Sequence, residues 1–480
     1  MLSRSIVLLP ILTSILAACT VGPNYKRPSI SLPEQYLGAP LNSPSDETKA
    51  DIEVWWKSFN DPQLTRYVTL ALKQNLDLTQ AYTRVTQAQA GLSAVNASLR
   101  PIGTVDAQAA KAYQSVETPL GQVLNSIPNF DRHGSSYEAN LSATWELDIF
   151  GGLRRDRESA LANYQASNAG ASAVRLMVTA QTANLYINIR GLQSRLDIAQ
   201  QQLQTQQKLL SIIQLLYSKG LASEFQVKQA KANVAQVQAV VPALGMNLDI
   251  AMNALDVMLG TVPGTHRAEL AELKPIPVIP NITETETGTP RDLLRRRPDL
   301  IMAERQLAAS NARIGSAIAE YYPKVSLGGL IGSATTASGN LFSSGANQAA
   351  GLLGLRWRLF DFGRINAEIR LAKGQKAEKL AAYQLAVLHA AEDVENSLST
   401  LSKRQEQLVA LQDGENALHH AQKIALIAYQ KGINSRIEVL QADSNTLQFT
   451  DRKVQAQTDS ALAAVAIYKS LGGGWQPNDY

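Results

Sequence analysis

Residues 145–152 read Trp-Glu-Leu-Asp-Ile-Phe-Gly-Gly, and residues 357–364 read Trp-Arg-Leu-Phe-Asp-Phe-Gly-Arg, an offset of 357 − 145 = 212 positions. Two further pairs of stretches keep this offset: Tyr-Ser-Lys-Gly at 217–220 with Tyr-Gln-Lys-Gly at 429–432, and Leu-Gly at 259–260 with Leu-Gly at 471–472. Three matches in one register indicate that a unit of constant length occurs twice in this chain of 480 residues.

The residues that lead into the first of these stretches alternate in polarity. From Tyr137 to Leu147 the odd positions are apolar, and from Glu138 to Asp148 the even positions are polar. A period of two over this length predicts a β-strand with one apolar and one polar face. Looser alternation predicts three more strands, which complete two hairpins: 105–116, 324–332 and 353–359, within hairpins at about 103–149 and 323–361.

An alternating sheet is compatible with two environments. A soluble sheet turns its polar face to water and its apolar face to a helix, whereas a membrane barrel has lipid outside and water inside. We favour the barrel because the neighbouring helices look too long and too polar to cover one small sheet. Since a single-chain barrel needs about eight strands, the barrel must be shared. A dimer, trimer or tetramer would supply 8, 12 or 16 strands (4 × 2, 4 × 3, 4 × 4).

Long helical patterns make up most of the remaining chain. Leu185, Ile189, Leu192 and Leu196 follow the spacing of a coiled-coil seam. A helix over 153–217 would be roughly 95 Å long at 1.5 Å per residue, far more than a bilayer of about 30 Å, so we expect it to project from the membrane. The predicted helices are 63–100, 153–217, 223–259, 291–320, 364–430 and 435–470. No apolar run near 20 residues follows the N-terminal signal, so we expect no transmembrane helix there.

The N-terminus indicates export. Arg4, an apolar run at 6–12 and small residues before Cys19 form a secretory signal peptide over 1–18. Cys19 is the only cysteine and cannot form an internal disulfide. The Leu-Ala-Ala-Cys stretch resembles the bacterial lipobox, which implies a lipid on the Cys19 thiol. The alternative is an ordinary signal peptide with an incidental cysteine.

The chain then divides as follows. Residues 63–260 form the first repeat and residues 291–471 form the second, with helical-hairpin turns at 217–223 and 429–435. The connecting parts are rich in proline or lie at the end of the chain: a lipidated strap at 19–62, a linker at 261–290 and a tail at 472–480.

The composition excludes several classes of protein. A net charge of +4 implies no nucleic-acid partner. The sequence has no phosphate-binding glycine loop, nucleophile motif or metal-ligand spacing, so we expect no enzyme, no cofactor and no metal. His419 and His420 are adjacent and cannot both face one metal ion from a helix.

Three stretches resemble the TolC-like outer-membrane efflux proteins, in their NodT-type lipoprotein branch. They are Cys-Thr-Val-Gly-Pro-Asn-Tyr-Lys-Arg-Pro at 19–28, Trp-Trp-Lys-Ser-Phe-Asn-Asp-Pro-Gln-Leu at 55–64 and Leu-Arg-Arg-Arg-Pro-Asp-Leu at 294–300. The resemblance implies a mixed α and β membrane protein. Three chains with four strands each would form a 12-stranded outer-membrane β-barrel, and a 12-helix periplasmic α-barrel would continue it.

The resemblance also implies partners. The chain would form a homotrimer, contact outer-membrane lipids, and bind a periplasmic adaptor and an inner-membrane transporter of the RND type. The expected function is a passive exit duct in a tripartite efflux pump, lipid-anchored in the outer membrane with a large periplasmic extension. Two alternatives remain open: a duct for type I protein secretion, and a lipid-anchored coiled-coil scaffold without a pore.

The candidate site residues lie at and just beyond the two helical-hairpin turns. Glycine permits such a turn because it adopts positive φ without a steric penalty, whereas an adaptor-docking role for these turns follows only from the resemblance. The docking candidates are Gly220, Leu221, Ser223, Gly432, Ile433 and Ser435. The candidates for a periplasmic gate are Tyr429, Glu438, Gln441 and Asp443. Position 441 is often Asp in the family, so this gate would be less acidic than usual, and Glu438 could equally be a solvated surface charge.

Overall fold

The computed structural model describes residues 20–37, 52–280 and 289–476. The predicted signal peptide, Cys19 and parts of the strap, the linker and the tail lie outside these ranges. The strands are β1 Ile102–Tyr113, β2 His133–Leu147, β3 Lys324–Thr335 and β4 Asn347–Arg356. The α-helices are α1 Pro62–Gln74, α2 Leu76–Ala97, α3 Pro119–Asn125, α4 Gly152–Ser218, α5 Glu224–Met258, α6 Arg267–Leu270, α7 Leu293–Arg296, α8 Pro298–Ala319, α9 Arg364–Gln430 and α10 Arg436–Ser470.

The described chain divides into two compact units. The first holds residues 20–28, 86–166 and 304–382, which include all four strands. The second holds 29–37, 52–85, 167–280, 289–303 and 383–476, which include both helical-hairpin turns.

The four strands form one antiparallel sheet in the order β1-β2-β3-β4. In every pair, odd positions oppose odd positions: Leu141 lies opposite Ile331, for example. Odd residues therefore share one face of the sheet and even residues share the other. The apolar side chains of Leu141, Leu353 and Leu355 are each at least half exposed on the odd face. This arrangement confirms the four predicted strands, and their two faces contrast along β2, whereas β4 also exposes Leu352 on the even face.

The strand ends differ from the prediction. β4 ends at Arg356, so Trp357 and Leu359 lie beyond the sheet although their alternation predicted a strand. The Trp357 indole N–H instead donates to the carbonyl of Tyr321 at 3.0 Å, just as the Trp145 indole donates to Leu99 at 3.0 Å. Each indole thus binds the backbone that follows the preceding helix.

The long connection after β1 contains a helix that the sequence did not predict. Thr118 begins α3, since its side chain accepts a hydrogen bond from the Gly121 N–H, and Pro119 fits the first helical position.

The four longest helices lie within two residues of their predicted bounds, whereas the other two predicted helices are broken. The predicted helix 63–100 is interrupted at Asn75, whose ψ is 130°. The Asn75 side chain accepts from the Leu78 N–H and donates to the Met258 carbonyl, which stabilises the break. The predicted helix 291–320 is interrupted at Arg297, because a residue before proline disfavours helical angles.

One helix bears on the expectation that no transmembrane helix follows the signal peptide. An 18-residue window of α5 has a mean hydropathy of 1.2, which meets the length and composition of a membrane span. Its apolar residues are dispersed among Asn and Gln, so they form no single run in the sequence. Only 11 % of the window is buried within this chain, and Val240, Met246 and Ile250 are exposed. Such a surface is equally typical of a helix that packs against a neighbouring copy.

Candidate functional site

Two tight turns join the long helices, one between α4 and α5 and the other between α9 and α10. Gly220 has a φ of +72° and Gly432 has a φ of +77°. In the first turn the Gly220 N–H donates to the Tyr217 carbonyl at 2.9 Å, and the Leu221 N–H donates to the Leu216 carbonyl at 2.8 Å. The second turn repeats both bonds at 2.9 Å from Gly432 and Ile433. These are Schellman motifs, which satisfy the last carbonyls of a helix.

The helices that leave the turns begin with matching caps. The Ser223 hydroxyl accepts from the Gln226 N–H at 3.3 Å, and the Gln226 side chain accepts from the Ser223 N–H at 2.9 Å. Ser435 and Glu438 make the same reciprocal pair at 3.3 and 3.1 Å. Both are capping boxes, so the predicted docking residues Ser223 and Ser435 also have a structural role. The Glu438 carboxylate further suits the positive end of the helix dipole.

Apolar side chains project from both turns. Leu221 is 76 % exposed and Ile433 is 74 % exposed. Because the backbone around them is hydrogen-bonded on both sides, these side chains are held outward on a defined frame. Arg436 lies with its guanidinium 5.5 Å from the centre of the half-exposed Tyr429 ring, a cation–π contact that fixes one edge of the second turn.

The predicted gate residues each bond within their own hairpin. Glu438 completes the capping box, Gln441 donates to Asn445 at 3.2 Å, and Asp443 accepts from Gln422 of α9 at 2.9 Å. None of these contacts joins one gate candidate to another.

A buried ion pair in the second hairpin was missed from the sequence. The Lys453 Nζ lies 2.5 Å from Glu415 Oε2, and the Thr450 hydroxyl donates to Glu415 Oε1 at 2.9 Å. Burial works to raise the pKa of Glu415, but the bonds from Lys453 and Thr450 outweigh it and hold the pKa below its ordinary value. The available signal was spacing, since the seam through Leu408 reaches position 415 after steps of four and three.

A second missed contact joins the two hairpins. The Arg195 Nε of α4 donates to the Asp451 carboxylate of α10 at 2.8 Å, and its Nη1 donates to Gln455. Both side chains of the ion pair are about a quarter exposed. The contact fixes the two hairpins against each other at this level, within the second unit.

The sequence profile described as "outer membrane efflux protein" matches residues 67–261 and again residues 289–473. The chain belongs to the outer membrane efflux protein family. It is 31 % identical to the pyoverdine export outer membrane protein OpmQ of Pseudomonas putida strain KT2440, over 99 % of this chain and 98 % of that protein. It is 27 % identical to nodulation protein T of Rhizobium leguminosarum bv. trifolii, over 98 % of this chain and 97 % of that protein.

A solved structure agrees with this membership. The outer-membrane channel OprN is similar with a TM-score of 0.83 and 33 % identity, covering 95 % of this efflux protein and 100 % of that chain. The predicted fold class is thereby confirmed: a trimeric outer-membrane channel to which each chain gives four strands, with long periplasmic helices. The outer-membrane location and the role as an efflux channel are confirmed as well. The family and its structural neighbours are channels.

Proposed function

We propose that this efflux protein is the passive exit duct of a tripartite pump, and that its two turns dock on a periplasmic adaptor. An inner-membrane transporter of the RND type would supply the energy. The observation that carries the proposal is the four-stranded sheet, whose odd face is mainly apolar and whose even face is polar along β2 and mixed along β3 and β4, where Leu330 and Leu352 lie. One chain supplies too few strands to close around water, whereas three supply enough.

The exposure of the odd face supports a lipid contact. Leu353 is 71 % exposed, Leu355 is 69 % exposed and Ile331 is 60 % exposed. Apolar side chains at this density are stable on a surface only against lipid or another protein. The even face, with Glu138, Asn140 and other polar side chains, suits a water-filled lumen.

The two turns suit adaptor docking because they are stiff and expose one aliphatic side chain each. Exposed Leu221 and Ile433 offer apolar contacts, and the capping boxes limit the entropy lost on binding. In a trimer there would be six such turns, alternating in sequence. Glu438 would occur three times around the entrance, where the three carboxylates would repel one another and attract cations.

A lipid on Cys19 would anchor the chain beside the sheet. The residues just after it are firmly held: the Val21 N–H donates to the Phe150 carbonyl at 3.1 Å, and Arg155 donates to the Val21 carbonyl at 3.1 Å. Phe150 follows shortly after β2, so this contact supports an anchor at the membrane. Cys19→Ala should abolish palmitate labelling while leaving a folded trimer. Continued labelling would refute the lipid assignment.

Conductance of the purified trimer in planar bilayers tests the proposed function. We expect a mass of three chains and stable ion conductance, and restored export when the gene complements a strain that lacks its own duct. A trimer that never conducts would contradict the duct. If export of a protein rather than of small compounds were restored, the type I secretion alternative would replace it. The similarity to a protein named for pyoverdine export supports efflux.

A further inference from the structure

The two β-hairpins correspond residue by residue, although at two different offsets. Thr144 and Arg356 are related by the offset of 212, and their strand partners are Ile102 and Lys324. The first strands of the two hairpins are therefore related by 324 − 102 = 222. The indole bonds give the same value independently, since their acceptors Leu99 and Tyr321 differ by 321 − 99 = 222. The first hairpin simply has the longer connection.

This correspondence makes the junction inside the chain a template for the junction between chains. Inside the chain, the second strand of the first hairpin, β2, pairs with the first strand of the second hairpin, β3. Between copies, β4 would meet β1 of the next copy, which is the same combination of strands. Within the described sheet, β1 and β4 are the two edge strands, and an unpaired edge presents a row of free backbone donors and acceptors.

Transferring the observed register gives a specific pairing. Thr144 lies opposite Gly328; these positions correspond to Arg356 and, from 328 − 222 = 106, to Asp106. We propose that β4 pairs with β1 of the neighbouring copy in the register that sets Arg356 opposite Asp106. The proposal rests on the proposed trimeric duct and specifies how its three sheets join.

The register keeps the two faces of the sheet continuous, because the template joins odd positions to odd positions and both offsets are even. The odd faces of neighbouring copies therefore join, with Lys111 opposite Gly351 as a charged interruption of the apolar side. A slip by one residue would place every apolar side chain on the wrong face. Leu355 would face Ala107 and Leu353 would face Ala109, on the apolar side.

The register also places opposite charges together. Arg356 lies opposite Lys324 within the chain, and like charges in directly opposed positions are destabilising. Lys324 pairs with Glu320 at 2.6 Å, and Arg358 reaches the same carboxylate at 3.1 Å. Asp106 would give Arg356 a carboxylate on its other side. In its own chain the Asp106 carboxylate accepts from the hydroxyls of Thr104 and Ser142 at 3.1 and 3.2 Å.

Disulfide trapping in outer-membrane vesicles tests this register. The same arithmetic pairs Ala350 with Ala112, so Ala350→Cys with Ala112→Cys should link copies into covalent dimers and trimers on non-reducing gels. The matched control is Ala350→Cys with Ala110→Cys, which represents a slip of two residues. Its Cβ atoms would be roughly 7–8 Å apart, beyond the about 4.5 Å that a disulfide tolerates. We expect about tenfold less product from the control.

A second pair samples the other face. Leu353→Cys with Ala109→Cys should also link, with Leu353→Cys and Ala107→Cys as its control. Positions on the two faces alternate between close and wide pairs, so at least one matched pair has favourable geometry. Variants with only one of the two introduced cysteines are the control for disulfides that form with Cys19.

The outcomes separate the register from the duct. Linking by the matched pairs supports the register. Linking by the control pairs, or by neither set in a sample whose mass is trimeric and which conducts, overturns the register and leaves the duct intact. A sample that is not trimeric contradicts the proposed function itself.

Discussion

The two helical hairpins have the same backbone geometry and differ in the side chains that they bury at corresponding positions. At the level of Glu415 and Lys453, the second hairpin holds a buried ion pair. The first hairpin has Leu203 and Val241 at the positions 212 earlier, both partly buried. The caps after the two turns also differ in charge, since Glu438 in the second hairpin corresponds to the neutral Gln226 in the first. The repeat therefore fixes helix length and turn geometry, while at these three corresponding positions only the second copy carries a charge.

The largest expected effect comes from breaking the buried pair. Lys453→Met leaves the Glu415 carboxylate buried without its cation, which should cost about 3 kcal/mol, the low end of the range for such pairs because Lys453 is 18 % exposed. Loss of amide-exchange protection around residue 415, with protection around residue 203 unchanged, would reveal it. Glu415→Leu with Lys453→Val copies the first hairpin and should recover most of the loss. If the double variant were as unstable as the single one, the pair would not be the cause.

The second expected effect is a loss of stability in acid that comes from the ion pair of the second hairpin. The folded-state pKa of Glu415 lies below its ordinary value of 4.5, so its stabilising contribution is present above that value and is lost as the pH falls through the lowered pKa. The melting temperature of the wild type should therefore fall more steeply below pH 4.5 than that of the Glu415→Leu, Lys453→Val variant. The variant also lacks Lys453, but lysine does not titrate in this acid range, so Glu415 is the only acid-titrating group that differs. Parallel pH profiles would contradict the lowered pKa.

The two turns should lose the same stability on substitution of their glycine, whereas the paired helices differ between the hairpins. Gly220→Ala and Gly432→Ala should each cost about 1–2 kcal/mol, because both sites have positive φ while an added Cβ meets no atom within 4 Å. Gly245→Ala is the control: it also meets no atom within 4 Å but lies inside α5, where alanine should stabilise the helix by about 1 kcal/mol. Melting temperatures and adaptor crosslinking of the three variants measure this. A marked difference between the two turns would contradict their equivalence.

Much of this equivalence could be predicted from the sequence. The turns at Gly220 and Gly432 follow from one offset, and the helix predicted over 364–430 has those bounds in the structure. Local patterns specify such features because their hydrogen bonds run between near neighbours. The alternation with period two likewise predicted the four strands, most completely the faces of β2.

The features that sequence reasoning missed depend on distant partners. Asn75 breaks a helix with help from Met258, which is 183 positions away. Lys453 reaches Glu415 across 38 positions. β4 ends at Arg356 although alternation continues to Leu359, because Arg356 pairs with Lys324, the first residue of β3, and Pro323 before it has no backbone N–H to extend the ladder. Of these features, only position 415 carries a local signal, the seam spacing that runs through Leu408.

The smallest expected effect concerns the charge at the second turn. Glu438→Gln makes the second capping box identical in type to the first, since glutamine at position 226 already serves there. Stability should fall by only about 0.3–1 kcal/mol, the contribution of one carboxylate at a helix N-terminus. If three copies of Glu438 surround the entrance, the cation preference of the channel should weaken measurably at low salt and little at high salt, because salt screens exposed charges. Reversal potentials in a salt gradient measure that preference, with Gln226→Glu as the reciprocal variant that should strengthen it. Unchanged reversal potentials in both variants would place these side chains on the outer surface of the helices and away from the conducting path.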